Sequence, residues 1–259
     1  MPGNPSPNEA RADAAARAWL KAIELLTDTQ PGGYFRETGR GTAEAVTGIP
    51  VPSLNTVVAI TRDPAPDEIA EFAASPRLAA IPWSVQVRTE PVDERIVRVA
   101  AGHGLTTRIP LPFMLRDLTE ADTADLPGAH RITAADGADY QRTMAAGFQG
   151  PLELFAAFAD PAVISLPEAT GYLVEVDGEL VATSFGMLLG DLVGVFNIAV
   201  SPQFRRRGYG RLATAAVLRD AYAAGARTAY LHATPDGYPL YLQMGFELVE
   251  TWSVFVAGP

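Results

Sequence analysis

The chain has 259 residues, a formal net charge of −10, 48% apolar residues, no cysteine and three histidines. The lack of cysteine excludes disulfides, thiolate nucleophiles and cysteine-ligated zinc, and His103, His130 and His232 lie too far apart in sequence for a metal-ligand pattern. Residues 1–127 carry 12 Arg or Lys against 17 Asp or Glu and residues 128–259 carry 8 against 13, so each half stands at −5 and neither has the charge of a nucleic-acid binder. No apolar run approaches the ~20 residues that span a bilayer, and Met1–Asn8 lacks the basic stretch and apolar run of a secretory signal. The expected location is the cytoplasm.

Met1–Asn8 reads as a frayed tail. Ala10–Leu26 has the apolar spacing of a helix. Tyr34–Thr38, Glu44–Thr47 and the β-branched Thr56–Thr61 read as strands, Asp67–Ala74 as a helix and Trp83–Arg88 as a strand. Asp93–Ala101 is predicted helical, and Leu105–Leu115 a strand. Leu115–Arg131 is acidic and polar and holds Pro127-Gly128, which reads as a linker. Two domains follow, 1–127 and 128–259.

In the second half, His130–Ala134 reads as a short strand, and Ala138–Phe148 and Pro151–Phe158 as helices. Thr170–Val176 and Leu180–Leu189 are β-rich runs joined by Asp177-Gly178, a strong hairpin signal. Leu192–Val200 is almost continuously apolar, as in a strand buried on both faces. Arg211–Ala224 is predicted helical and stopped by Gly225. Thr228–Ala233 is a strand, Tyr238–Met244 a short helix ended at Gly245, and Phe246–Val256 a last strand. This order defines an α/β (α+β) fold with mixed sheets and flanking helices. The first half repeats the plan: AAGHGLTTRIPLPFML and YLQMGFELVETWSVFV both run from a helix end through a glycine into a long strand, which suggests an internal duplication.

The most informative stretch is Val200-Ser-Pro-Gln-Phe-Arg-Arg-Arg-Gly-Tyr-Gly-Arg211, between a buried strand and a helix. A diphosphate needs converging backbone N–H groups and benefits from the positive end of a helix dipole. Gly208 and Gly210 permit close backbone approach, and Arg205, Arg206, Arg207 and Arg211 add positive charge in an acidic domain. The spacing fits neither a P-loop nor GxGxxG. The alternative is a basic surface turn ahead of a helix. The corresponding place in the first half reads Arg62-Asp63-Pro64-Ala65-Pro66, where prolines remove amide donors.

FNIAV ahead of the loop, SPQFRRRGYGR itself, and LYLQMGF at Leu240–Phe246 together resemble the GNAT acetyltransferase superfamily. The two-half arrangement is similar to bacterial members with a degenerate GNAT-like N-terminal domain, hence a tandem of GNAT-like sheets with the active domain C-terminal. The resemblance implies acetyl-CoA, or another acyl-CoA, as co-substrate and no metal. Backbone groups of Arg206, Arg207, Gly208, Tyr209, Gly210 and Arg211, with Arg205, would hold the pyrophosphate. Ile198, Ala199 and Val200 would hydrogen-bond the pantetheine, with Thr234 beyond the neighbouring strand. The thioester would lie where 192–200 and 228–233 splay apart.

Acyl transfer to an amine requires a neutral amine, stabilisation of the oxyanion and protonation of the thiolate. Tyr241 holds the family's usual acid position in LYLQMGF; packing of its ring under the sheet is the alternative, and Tyr238, three positions earlier, is expected as a pocket wall, with supply or sharing of the acid role as its alternative. The family's base is a glutamate on or near the strand before the loop, and Leu192–Val200 has only Asn197. His232 is therefore a candidate base, although a histidine in a strand is more often a packed residue. An amide at Ala199 or Val200 is the implied oxyanion donor. Phe148, Asp191, Phe196 and Asn197 are expected to face the acceptor, a small-molecule or peptide amine. The chain is expected to act as a monomer or homodimer, without nucleic acid or membrane. Two functions follow: an N-acyltransferase working by direct attack in a ternary complex, since no cysteine exists for an acyl-enzyme, or a non-catalytic acyl-CoA-binding regulatory module.

Overall fold

The computed structural model describes residues 6–88, 90–124 and 126–258, so most of the predicted tail, Met1–Pro5, lies outside the described residues. In chain order the first elements are α1 (Pro7–Thr29), β1 (Tyr34–Glu37), β2 (Thr42–Val46), β3 (Asn55–Ala59), α2 (Pro66–Ala73), β4 (Ser84–Val87), α3 (Glu94–Gly102) and β5 (Thr107–Asp117). Then come β6 (Ala129–Arg131), α4 (Gly137–Phe148), α5 (Pro161–Ile164), β7 (Ala169–Val176), β8 (Glu179–Leu189), β9 (Leu192–Val200), α6 (Tyr209–Ala223), β10 (Thr228–His232), α7 (Tyr238–Gln243) and β11 (Glu247–Val256). No described helix is long and apolar enough to cross a membrane.

Two compact units result. One holds the described residues through Met114, His232–Thr234 and the described residues from Leu248 onward; the other holds Leu115–Leu231 and Pro235–Glu247. The division expected from the sequence fell at residue 127. In the structure Leu115–Arg131 is built into the second unit rather than left as a linker. Arg116 pairs with Asp122 at 2.6 Å, Leu118 N–H donates to the Arg227 carbonyl at 2.9 Å, and Thr119 and Asp122 form a capping box on a short 3-10 turn. Asp122 both caps this turn and pairs with Arg116.

In the first unit the strands lie in the order β1-β2-β3-β4-β11-β5. The β1–β2 and β2–β3 pairs are antiparallel and β3–β4 is parallel. α1 begins one turn earlier than its apolar pattern shows, because Ser6 and Glu9 cap it reciprocally. Its apolar face buries Ala12, Ala16, Trp19 and Ile23. Ile69, Phe72, Leu78 and Ile96 pack with Val57 and Val85 into a core. Arg88, only 1% exposed, pairs with Glu250 at 2.7 Å and Asp13 at 2.8 Å and donates to the Ile60 carbonyl. Its donors are thereby satisfied, as burial of a guanidinium requires.

In the second unit the order is β10-β9-β8-β7-β6, with β9–β10 parallel and the remaining pairs antiparallel. The hairpin read at Asp177-Gly178 is present: both residues have positive φ (51° and 81°), as a primed turn demands. Each unit therefore runs helix, antiparallel meander, helix, parallel strand. β3–α2–β4 corresponds in order to β9–α6–β10, each a parallel pair joined through a helix. One expectation fails in detail. Pro151–Phe158 is not an α-helix; Leu152–Ala159 winds as a 3-10 helix with no buried residue.

Candidate active site

Strand β9 carries two different edges along its length. On the β10 side the register covers Leu192, Val193 and Gly194 against Thr228, Ala229 and Tyr230. β9 then continues through Val200, six residues beyond that register. On the β8 side the ladder runs from Leu189↔Leu192 to Ala182↔Val200 with a register shift between Thr183 and Phe185. At that shift Asn197 adopts φ 53° inside the strand, a left-handed conformation that costs a non-glycine residue energy and persists only under local constraint. Thr183 Oγ1 donates to the Asn197 carbonyl at 2.9 Å. The buried Tyr140 phenol, on α4, donates to the Ser184 carbonyl at 3.3 Å. Burial raises its pKa and a hydrogen bond from the Asn197 side chain opposes that shift.

Helix α4 is pressed onto the end of β9 at Gly147. A Cβ there would lie 2.6 Å from Ala199 Cβ and 2.9 Å from Val200 N, so only glycine permits the approach. Arg205 fixes this contact: Nη2 donates to the Gly147 carbonyl at 2.8 Å and Nε to the Val200 carbonyl at 3.2 Å. Arg205 was expected among the pyrophosphate ligands. Its guanidinium is instead committed to two backbone carbonyls, one at the C-terminal end of a helix where cations are favoured.

Beyond Arg205 the chain turns with Arg206 at φ 62° and Gly208 at φ 92°. Consecutive residues of mixed handedness turn backbone N–H groups into one concavity, a geometry suited to anions. α6 begins immediately after Gly208, with no side-chain cap and no acidic residue in its first turn. Its leading N–H groups therefore retain their donor capacity. Gly210 sits close to Leu240 Cδ2 and Val200 Cγ2, at 3.3 and 3.5 Å from an added Cβ, and ties the helix start to β9 and α7. Arg211 reaches Gln243 at 3.5 Å, and the Arg207 guanidinium lies 5.6 Å from the Phe204 ring centroid. The equivalent helix of the first unit, α2, has Asp67 and Glu68 in its first turn, where carboxylates occupy the favourable end of the dipole and repel anions.

Tyr241 lies on α7 and is 7% exposed. Its ring packs edge-on to Phe246 at 5.8 Å, and burial pushes its pKa up to about 12. The phenol is thus a protonated donor throughout the neutral range. Tyr238 starts the same helix and is half-buried. Phe196 is half-buried, with its ring edge-on to Tyr230 at 6.2 Å. Phe148 follows Gly147, is 47% exposed, and stacks on Phe155 at 5.6 Å with 9° between the planes.

Three expected residues are placed elsewhere. His232 belongs to the first unit, where its ring meets Trp19 at 5.6 Å, Phe113 at 4.8 Å and Trp252 at 4.6 Å. Its Nε2 is sealed without a hydrogen-bond partner, and burial lowers its pKa to about 3. The half-buried ring is packed among three aromatic rings, the placement of a packing residue. Thr234 also falls in the first unit and is exposed. Asp191 occupies the turn between β8 and β9, where its carbonyl accepts from Arg227 and Thr228 N–H. Nine residues separate it from Val200, roughly 30 Å along a strand, so it lies at the opposite end of β9 from the side where the acceptor was expected. Sequence reasoning missed Gly147 and Tyr140. A glycine just inside the end of a predicted helix is the signal for close packing, and Tyr140 lies seven residues earlier on the same helical face.

Residues 138–246 match the acetyltransferase (GNAT) family model. Among solved structures, a GCN5-related N-acetyltransferase from Kribbella flavida is similar over 96% of each chain, with 20% identity and a TM-score of 0.65. A conserved protein from Staphylococcus epidermidis ATCC 12228 is similar over 90% of this chain and 96% of its own, with 13% identity and a TM-score of 0.65. A GNAT-family protein from Novosphingobium aromaticivorans DSM 12444 covers 91% and 97%, with 18% identity and a TM-score of 0.59. At these identities the likeness is one of fold, and it extends over both units. No curated protein sequence matches the chain. The matched span runs from α4 to α7, and this part of the chain is similar to the acetyltransferase (GNAT) family, with a mixed α/β fold that agrees.

Proposed function

We propose that the second unit is an N-acyltransferase that moves an acetyl group from acetyl-CoA to an amine by direct attack in a ternary complex. The observation that carries this is the uncapped start of α6 behind Arg206–Gly208, set at the end of β9 beyond its register with β10. Backbone donors at Arg206–Arg211 suit a diphosphate, and the edge at Ile198–Val200 suits a strand-like pantetheine with its alternating amides. Arg206, Arg207 and Arg211 supply charge there, whereas the donors of Arg205 are directed at the Val200 and Gly147 carbonyls. In the first unit Asp67 and Glu68 stand at the matching helix start, so we assign one acyl-CoA site to the chain.

The amine nitrogen forms a bond to the thioester carbonyl carbon, the carbon–sulfur bond breaks, and the departing sulfur takes a proton. Tyr241 is the donor for that proton, kept protonated by burial. β9 holds no carboxylate and His232 is packed among aromatic rings, so the amine arrives neutral or loses its proton to water. A backbone N–H at Ala199 or Val200 serves the oxyanion. The acceptor is a small molecule or a peptide end.

Calorimetry with acetyl-CoA and a thiol-release assay across an amine panel test this reading. Micromolar acetyl-CoA binding with sustained turnover is expected. Absence of acetyl-CoA binding overturns it, and binding without turnover on any amine would leave the regulatory module, which the lack of a β9 carboxylate favours, as the better account.

A further inference from the structure

The segment after α4 is unusual in its surface. Leu152–Ala159, LELFAAFA, has one charge in eight residues and buries none of them. A helix apolar on all sides is normally a core element. Here Phe148 and Leu152 stand 47% and 46% exposed, and Phe148 stacks flat on Phe155. The stack is built rather than incidental. Gln149 turns the chain at φ 56°, and a Cβ on Gly150 would come within 3.0 Å of the Phe155 ring. Gln141 Nε2 pins the far side by donating to the Leu152 carbonyl at 2.9 Å.

Its position is also fixed. Gly147 touches Ala199 and Val200, and Arg205 holds it there. Phe148, the next residue, ends the same helix α4 with its ring exposed and stacked on Phe155. The only charged group on the 3-10 helix is the exposed Glu153, which favours a cation and opposes a carboxylate.

We propose that the acceptor is an amine with an aromatic or otherwise planar apolar body, which rests against Phe148, Phe155 and Leu152 while its amine faces the β9 edge. This rests on the acyltransferase reading. Planar bodies gain from an offset stack on an existing aromatic pair, and a hydroxylated or polycationic amine gains nothing from such a wall.

The test uses the full chain with acetyl-CoA and primary amines of matched basicity, phenethylamine and tryptamine against ethanolamine and a diamine. The expected result is a kcat/KM at least tenfold higher for the aryl amines. That preference should be lost through KM in Phe148→Ala and in Phe148→Ala/Phe155→Ala, with the acetyl-CoA Kd unchanged. Equal rates for polar and aryl amines overturn the proposal, as does a preference that survives in the double variant. Where no amine turns over, calorimetry of tryptamine with the protein–CoA complex decides, and no binding overturns it. A dimer in sedimentation that Phe148→Ala dissociates would assign the patch to a second copy and also overturns it. Failure of acetyl-CoA itself to bind is the separate failure of the acyltransferase reading.

Discussion

The Arg205 guanidinium lies 2.8 Å from the Gly147 carbonyl, and the same side chain donates to Val200. An arginine inside an anion-binding motif thus joins helix α4 to strand β9. Arg205→Gln should leave acetyl-CoA affinity within about threefold and raise the acceptor KM several-fold. A side chain that contacted phosphate would show the reverse, a tenfold or greater loss of affinity with a reduced dependence on salt. Calorimetry at two ionic strengths with steady-state kinetics separates them.

Gly147 sets the distance between α4 and β9. Gly147→Ala places a methyl 2.6 Å from Ala199 Cβ and against the Val200 backbone. Backbone cannot yield as a flexible side chain does, so a loss of about 1–3 kcal/mol is expected from overpacking, together with weakened acetyl-CoA binding. Urea denaturation and calorimetry check both. Unchanged stability would mean that α4 shifts freely.

Tyr241→Phe keeps the ring on Phe246 and removes only the hydroxyl. A general acid of this kind contributes roughly 100-fold or more, so kcat should fall by about that factor with little change in acetyl-CoA affinity. With the phenol pKa near 12, kcat/KM of the parent protein should rise towards the amine's own pKa and stay level to pH 10. An alkaline limb below pH 9 that disappears in Tyr241→Phe would contradict this.

His232 makes stability depend on pH. Its folded pKa, about 3, lies below the ordinary value of 6.5, so the unfolded chain binds the extra proton between those limits. Stability from this group is complete above about pH 6.5 and is lost as pH falls, by about 1.4 kcal/mol per unit in the steep part of that window. His232→Phe should flatten the fall of the urea midpoint between pH 6.5 and 4.5 and leave turnover per folded molecule unchanged. A turnover loss of tenfold or more would restore His232 as a base.

Much of the fold was legible because its signals are local. Asp177-Gly178 demanded a hairpin, Gly225 and Gly245 ended helices, and the apolar Leu192–Val200 had to be a strand, although Phe196–Ile198 are half-buried rather than enclosed on both faces. The glycines and arginines of residues 205–211 marked an anion loop at a strand–helix junction, and the structure has that junction. Boundaries were less legible: the Ser6–Glu9 cap and the Thr119–Asp122 cap lie outside the apolar periodicity that defined the elements.

The sequence by itself determined the element types, the repeated plan and the place of the loop, since these follow from neighbours within a few residues. Only the tertiary structure decided which charged and polar side chains face that loop. Arg205 turned to Gly147, 58 residues away in sequence, and His232 went among Trp19, Phe113 and Trp252. Those outcomes depend on which carbonyls and rings distant segments bring within 3 to 6 Å, and residue type and spacing carry no record of that.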